Sequence, residues 1–508
     1  MISGYRSISR LAAGLIITAV AVLYCIWGNT DRVGWVTGDA ASYLTMAKAY
    51  AQPGGDDITA KAAAQSRFPP LYPLLLARSG ASGDLHRAHG VTLACLLLAL
   101  GVMFYWLRSE GIEPLPAALY LAAVSSLPDI WLAALSIQSE YLYLLLSVAA
   151  IAILVRFERE GSAQWLYAAA LLIDLAILAR SVGIALALPL LIALRSRSWR
   201  ERLLTLVLAA GPLIVWYALH HARSGYMSVG GTLVAQRLSP DFLMGQFASV
   251  RHGFEQAMLL QPQWLNPLTD SLGVACLLAM ALRCAKLRPD ALYLAAYLCI
   301  VLLWPYPGDA HRLLWPILPL FLIQPALAFT NQTGRGYWFP LASAAAITIL
   351  GLPSIAYAMQ RYGDPHADAI SGARSNPLWY WPQQDVAIRF ALAEDLLLEA
   401  LQKIPSRVSE RECVLSTRPE WINFFGQRRS EQALPADAPP AAFAASLKAC
   451  PIVFMTPFID RGYGDSMYPL ARLGRDLEIL DYTYAADPTQ PGKRIEFLLA
   501  RYAPPAEP

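Results

Sequence analysis

Asp39 stands in the stretch VTGDAASYLTMAKAYAQ at 36–52, directly after the first long apolar run. A carboxylate there could take the proton from an incoming hydroxyl. It could also begin a helix, because Asp at a helix N-terminus accepts orphan backbone N–H groups. Ala41, Leu44, Ala47 and Lys48 recur at helical spacing, with Tyr43 and Tyr50 on a neighbouring stripe. The pattern predicts a short amphipathic helix lying across a membrane surface. Three other places set charge among apolar residues. Arg67 lies in SRFPPLYPLLLA, where Pro69, Pro70 and Pro73 stiffen a segment that also carries Tyr72. Glu140 lies in SIQSEYLYLLL and Arg180 in ILARSVGIALALPLL, while His311 and Arg312 open HRLLWPILPL. An ionisable group at the lip of a span is costly and usually faces a cavity or a partner. Each also has a plain structural reading. Glu140 and Arg180 could pair between neighbouring spans, Arg312 could snorkel to the interface, and Arg67 could be a solvated loop residue.

The elements that must position these residues follow from composition. The 508 residues are 56% hydrophobic and 15% charged, against roughly a quarter charged in soluble domains. Mean hydropathy is +0.40. This is the composition of a polytopic membrane protein. The net charge of +3 comes with no clustered basic face interleaved with aromatics, which excludes nucleic acid as a partner and leaves membrane lipids as the surroundings. The seven cysteines show no zinc-type spacing. Arg6 and Arg10 before an apolar run resemble a signal peptide, but no small-residue cleavage site follows, so the run reads as an uncleaved first span.

Apolar runs long enough to cross a bilayer fall at 10–28, 88–107, 114–132, 134–155, 164–179, 181–194, 203–220, 268–283, 289–305, 312–329 and 337–357. About eleven spans are therefore expected. With the N-terminus in the cytoplasm, the inside loops RFERE, RSRSWRER and RCAKLR carry nine Lys/Arg, and the outside turns PDI and PYPGDAH carry none. That orientation puts loops 29–87 and 221–267 outside, with an integral plasma (inner) membrane location. The chain divides into a helical membrane domain, 1–358, and a soluble extracytoplasmic tail, 359–508. The tail has a helical stretch at 383–404 and strand-like runs CVLST, CPIVFMT, LEILDYTY and RIEFLLARY, a small α/β domain. Cys413 and Cys450 each head a strand, and a shared edge of one parallel sheet would bring them within disulfide range.

Arginine offers paired donors and a permanent charge, which suits phosphate. Arginines and a carboxylate gathered on one outer face describe a phosphate leaving group and an alcohol acceptor at a membrane rim. That is the chemistry of sugar transfer from a polyprenyl-phosphate donor. No tight Asp/His cluster calls for a cofactor, and a divalent metal is left open.

Five segments in order, GDAASYLTMAKAY, RFPPLYPLLLA, SLPDIWLAALSIQSEYLYLLLSVAAI, LAILARSVGIALALPLLIAL and HRLLWPILPLFLI, resemble the GT-C class of integral membrane glycosyltransferases. The similarity is to the branch holding protein O-mannosyltransferases and lipid A aminoarabinose transferases, and it covers most of 1–360. It implies a mainly α, polytopic transmembrane bundle followed by a variable soluble domain. By the resemblance Asp39 matches the acidic residue of the first outer loop that acts as catalytic base. Glu140 matches an acidic position at the head of the fourth span. Arg180 and Arg312 match arginines of later spans, Arg312 being the first candidate for the donor phosphate, with Arg67, His311, Tyr43 and Tyr72 grouped on the donor side. Protein O-mannosyltransferases typically follow the loop Asp with Glu; here Ala40 follows, which counts against a protein acceptor. The implied activity is inverting hexosyl or pentosyl transfer from a polyprenyl-phosphate sugar to a lipid, glycan or protein acceptor. A transporter or flippase for a lipid-linked or anionic substrate is the alternative, and its inverted repeat is not visible in the sequence.

Overall fold

The computed structural model describes residues 2–28, 38–54, 57–66, 68–220, 239–304, 310–333, 337–434, 439–456 and 477–502. The apolar runs fall on helices, with breaks where the sequence forces them. Among the described residues, five helices are long and apolar enough to cross a membrane: Ser7–Gly28, Leu85–Ser109, Glu140–Glu160, Gln263–Ala285 and Trp338–Tyr362. Shorter apolar helices include Pro114–Ser125, Ala163–Ala179, Ser181–Ser196, Pro289–Leu302 and Leu318–Phe329. Many of these present leucine outward, as Leu11, Leu15, Leu98 and Leu278 do, an arrangement suited to hydrocarbon rather than water.

Two breaks matter for chemistry. The run at 114–132 stops after Ser125, because Leu127 is extended ahead of Pro128. A short helix, Pro128–Ala133, follows, and the next long helix begins only at Glu140. At Arg180 the backbone is extended (φ −151°, ψ 132°), between the helix Ala163–Ala179 and the 3-10 helix Ser181–Leu186.

The chain forms two compact units: Met1–Thr30, Arg67–Tyr72 and Arg87–Gln360 in the first, Asp31–Ser66, Pro73–His86 and Arg361–Pro508 in the second. The first unit is the helical one. Its helix Glu140–Glu160 carries ionic groups at both ends, some 30 Å apart by helical rise. Near the distal end, buried Glu110 pairs with Arg159, Arg283 and Arg288, Glu158 pairs with Arg288, and Asp290 pairs with Arg283 and accepts from Gln324. Arginines of two of the basic loops thus double as ties between helix ends. Within the membrane part, Asp174 Oδ1 accepts the Leu213 N–H at 3.2 Å. Pro212, inside the helix Trp199–His220, disturbs the helical ladder at that point, and the buried carboxylate takes up the neighbouring donor.

Among the described residues, the second unit holds a five-stranded sheet: β1 (Cys413–Ser416), β2 (Arg429–Gln432), β3 (Ile452–Met455), β4 (Leu477–Ala486) and β5 (Arg494–Tyr502), in the order β2-β1-β3-β5-β4. β1 runs parallel to β2 and β3; β5 is antiparallel to β3 and β4. The helix Gln384–Arg407 covers one face, burying Leu397, Leu401 and Ile404 with Val414, Phe454 and Phe497. Pro440–Ala449 covers the other with Phe443 and Leu447. β2 is the strand the sequence hides, since RSEQ carries no apolar alternation and only Ser430 is buried.

Cys413 and Cys450 form a disulfide, with Cα atoms 4.7 Å apart and a sequence separation of 37. Replacing both by serine is expected to destabilise this unit by ~3–4 kcal/mol, since the closed loop no longer restricts the unfolded chain. Thermal unfolding reads that loss. Peptide mass spectrometry of unreduced protein made in an oxidising compartment should show the linked pair, and two free thiols there would contradict it.

Candidate functional site

The helical unit brings three of the sequence candidates together. Glu140 is the first residue of the helix Glu140–Glu160 and is fully buried. Its Oε1 accepts from Arg180 Nη1 at 2.7 Å and from Arg312 Nε at 2.8 Å. The two guanidinium side chains keep 15% and 19% of their surface exposed, against 1% for the carboxylate. Arg180 Nη1 also donates to Ser139 Oγ at 3.2 Å. The Gln138 amide satisfies its neighbours in one orientation: its NH2 donates to both Glu140 oxygens at 3.2 Å and its oxygen accepts from Ser136 Oγ at 3.1 Å. Glu140 is thus a hub for two arginines from remote parts of the chain. These three groups together carry one net positive charge.

Packing fixes the hub from behind. Tyr143, one turn after Glu140, shares a 2.8 Å hydrogen bond with Tyr293, and its ring stacks on Tyr297 with centroids 6.2 Å apart. Tyr297 donates to the Leu313 carbonyl at 2.7 Å, next to Arg312. Two glycines permit the close approaches. At Gly183 a Cβ would lie 2.8 Å from the backbone of Ala176 and Ile177, so the turn carrying Arg180 folds back only on glycine. At Gly253, in the helix Pro240–Met258, a Cβ would lie 2.7 Å from the His311 nitrogen. Gly253→Ala is therefore expected to push the helix Ala310–Leu314 aside, costing ~1–3 kcal/mol and displacing Arg312. A fall in thermal stability checks it; an unchanged protein would show that the backbone yields freely.

The other candidates are distributed. His311 contacts the Trp315 ring at 6.0 Å between centroids. Tyr72 is buried, its hydroxyl 2.5 Å from Thr92 Oγ1. Arg67 lies outside the described residues. Asp39 and Tyr43 belong to the second unit, on the helix Asp39–Ala51. Gly38, not Asp39, occupies the N-cap position, and Asp39 is the first residue inside the helix, half-buried. A negative side chain in that first turn is favoured by the helix dipole. The helix does not lie open on a surface: of the eight residues 40–47, all but Ser42 are buried. Helical spacing of its alanines and leucine suggested one apolar face, but small residues all round let neighbours close on every side. Among the described residues, no group of three or more His, Cys, Asp or Glu is placed to hold a metal ion.

No protein-family model and no curated protein sequence matches the chain. Solved structures do. The fold is that of the GT-C class of integral membrane glycosyltransferases. ArnT of Cupriavidus metallidurans in the apo state superposes with a TM-score of 0.54 at 14% identity, over 98% of this chain and 100% of that one. ArnT of the same organism bound to undecaprenyl phosphate gives 0.52 at 15% identity, over 97% and 99%. An Archaeoglobus fulgidus oligosaccharyltransferase, in complex with zinc and sulfate, is more remote, at 0.49 and 14% identity over 96% and 73%.

Proposed function

We propose that this protein transfers a sugar from a polyprenyl-phosphate-linked donor to an acceptor hydroxyl outside the cytoplasm, with inversion. The observation that carries the reading is the convergence of Arg180 and Arg312 on buried Glu140 in a protein of this fold. The arginines hold the donor phosphate and stabilise the charge that grows on it as the sugar–oxygen bond breaks. Glu140 holds the arginines in place. Asp39 takes the proton from the acceptor oxygen as it attacks the anomeric carbon, and polyprenyl phosphate departs. Undecaprenyl phosphate bound to a protein of the same fold supports that class of leaving group. The Lys/Arg asymmetry of the loops and the disulfide favour a cytoplasmic N-terminus and an extracytoplasmic C-terminal unit.

Incubating the purified protein in detergent with polyprenyl-phosphate sugars and candidate acceptors tests the reading, with release of polyprenyl phosphate as the signal. A folded preparation that releases none with any donor would turn the assignment toward transport. Arg312→Ala is expected to weaken donor binding more than Arg312→Lys, because lysine keeps the charge and loses only the planar fork. Normal binding by both variants would move the phosphate to Arg180 or Arg67.

A further inference from the structure

The unit that holds the five-stranded sheet also takes in a helix from near the N-terminus. Ala41, two residues past Asp39 and fully buried, belongs to one apolar cluster with Trp421, Ile422, Leu397, Leu401, Val414 and Phe454. The helix Asp39–Ala51 packs on the short helix Pro419–Phe424, which carries Trp421 and Ile422. We propose that this unit is the seat of the Asp39 helix, with Trp421 and Ile422 as positioning residues for Asp39. Along a rigid helix two residues rise ~3 Å, so fixing Ala41 against the seat fixes the backbone at Asp39.

The seat is tied into the sheet at both ends. At its start, the Arg418 N–H donates to Ser416 Oγ, the last residue of β1, at 3.1 Å. At its end, Asn423 Oδ1 accepts the Ser430 N–H of β2 at 3.1 Å. Gly426 permits the tight exit that follows, since a Cβ there would lie 2.8 Å from the Ile422 carbonyl oxygen. β1 is in turn held to the entry of β3 by the Cys413–Cys450 disulfide. A helix thirteen residues long, near the length at which isolated helices are marginal, thus gains its order from a domain more than three hundred residues away in sequence. Ala41 is fully buried in that cluster, so a larger side chain at this position is expected to overpack the seat.

The test uses the full-length protein with Trp421→Ala, Ala41→Leu and Trp421→Phe. Hydrogen exchange of peptides covering 39–51 is compared with exchange of the sheet, alongside polyprenyl phosphate binding and sugar-transfer kinetics. Trp421→Ala and Ala41→Leu should speed exchange in 39–51 while the sheet stays protected and binding changes less than about twofold. Turnover should fall ~10- to 100-fold in kcat, since a misplacement near 1 Å costs on the order of a hundredfold. Trp421→Phe, which keeps an aromatic ring in the seat, should recover most of it. If Trp421→Ala loosens the sheet itself, Ala41→Leu decides, because it leaves the aromatic core of the domain intact. Unchanged exchange in 39–51 with a protected sheet overturns the inference. The kinetic arm rests on the glycosyltransferase reading; if the wild-type protein shows no turnover, that reading fails while the exchange arm still decides the seat.

Discussion

Asp39→Asn is expected to abolish sugar transfer while leaving expression and polyprenyl phosphate binding near those of the wild type. The substitution keeps the side-chain shape and removes the proposed base. A positioned general base is worth ~10²–10⁴ in rate, so turnover should fall by at least the lower of these. Stability should change little, because Asp39 sits one residue inside its helix and Gly38 holds the capping position. The loss of a charge in the first turn costs ~0.3–1 kcal/mol. Turnover assays paired with thermal unfolding separate the two roles. Activity within a few-fold of wild type would leave Asp39 with the helix dipole alone.

Glu140→Gln should have the largest effect on stability. Removing one partner of a buried ion pair costs ~3–5 kcal/mol, and here a single carboxylate oxygen serves two arginines. The glutamine leaves Arg180 and Arg312 facing one another without their shared anion. A phosphate that enters the site then supplies the missing charge. Undecaprenyl phosphate should therefore raise the unfolding temperature of Glu140→Gln by more than it raises that of the wild type. An equal or smaller shift would show that the hub is a structural ion pair and not the phosphate site. Calorimetry on protein in lipid nanodiscs reads both quantities together.

The residues of the hub were legible one by one, and for a physical reason. A charged side chain beside a long apolar run has few tolerable fates, so Glu140, Arg180 and Arg312 announce themselves by composition alone. Their meeting was not legible. Pairing Glu140 with Arg180 follows from adjacency of spans, but Arg312 arrives from 172 positions further along. Its approach depends on Gly253 and the Tyr297–Leu313 contact, neither of which leaves a charge or motif in the sequence. The glycines at 183 and 253 become informative only once the backbone facing them is known.

The second unit divides in the same way. Apolar runs marked β1, β3 and β5, and amphipathic periodicity marked the helix Gln384–Arg407, because each buries apolar side chains; the run LEILDYTY marked β4, although only Thr483 of that strand is buried. β2 buries almost nothing and is held by its backbone hydrogen bonds to β1, so its polar sequence carries no signal. The sequence by itself determined the membrane character of the chain, the class of fold and the residue types able to handle a phosphate and a hydroxyl proton. These follow from local composition and spacing, which every short segment reports directly. The tertiary structure alone decided that Glu140 serves two arginines and that the Asp39 helix is seated in the C-terminal unit. Both are contacts between distant segments, set by steric fit and burial, which no short stretch of sequence contains.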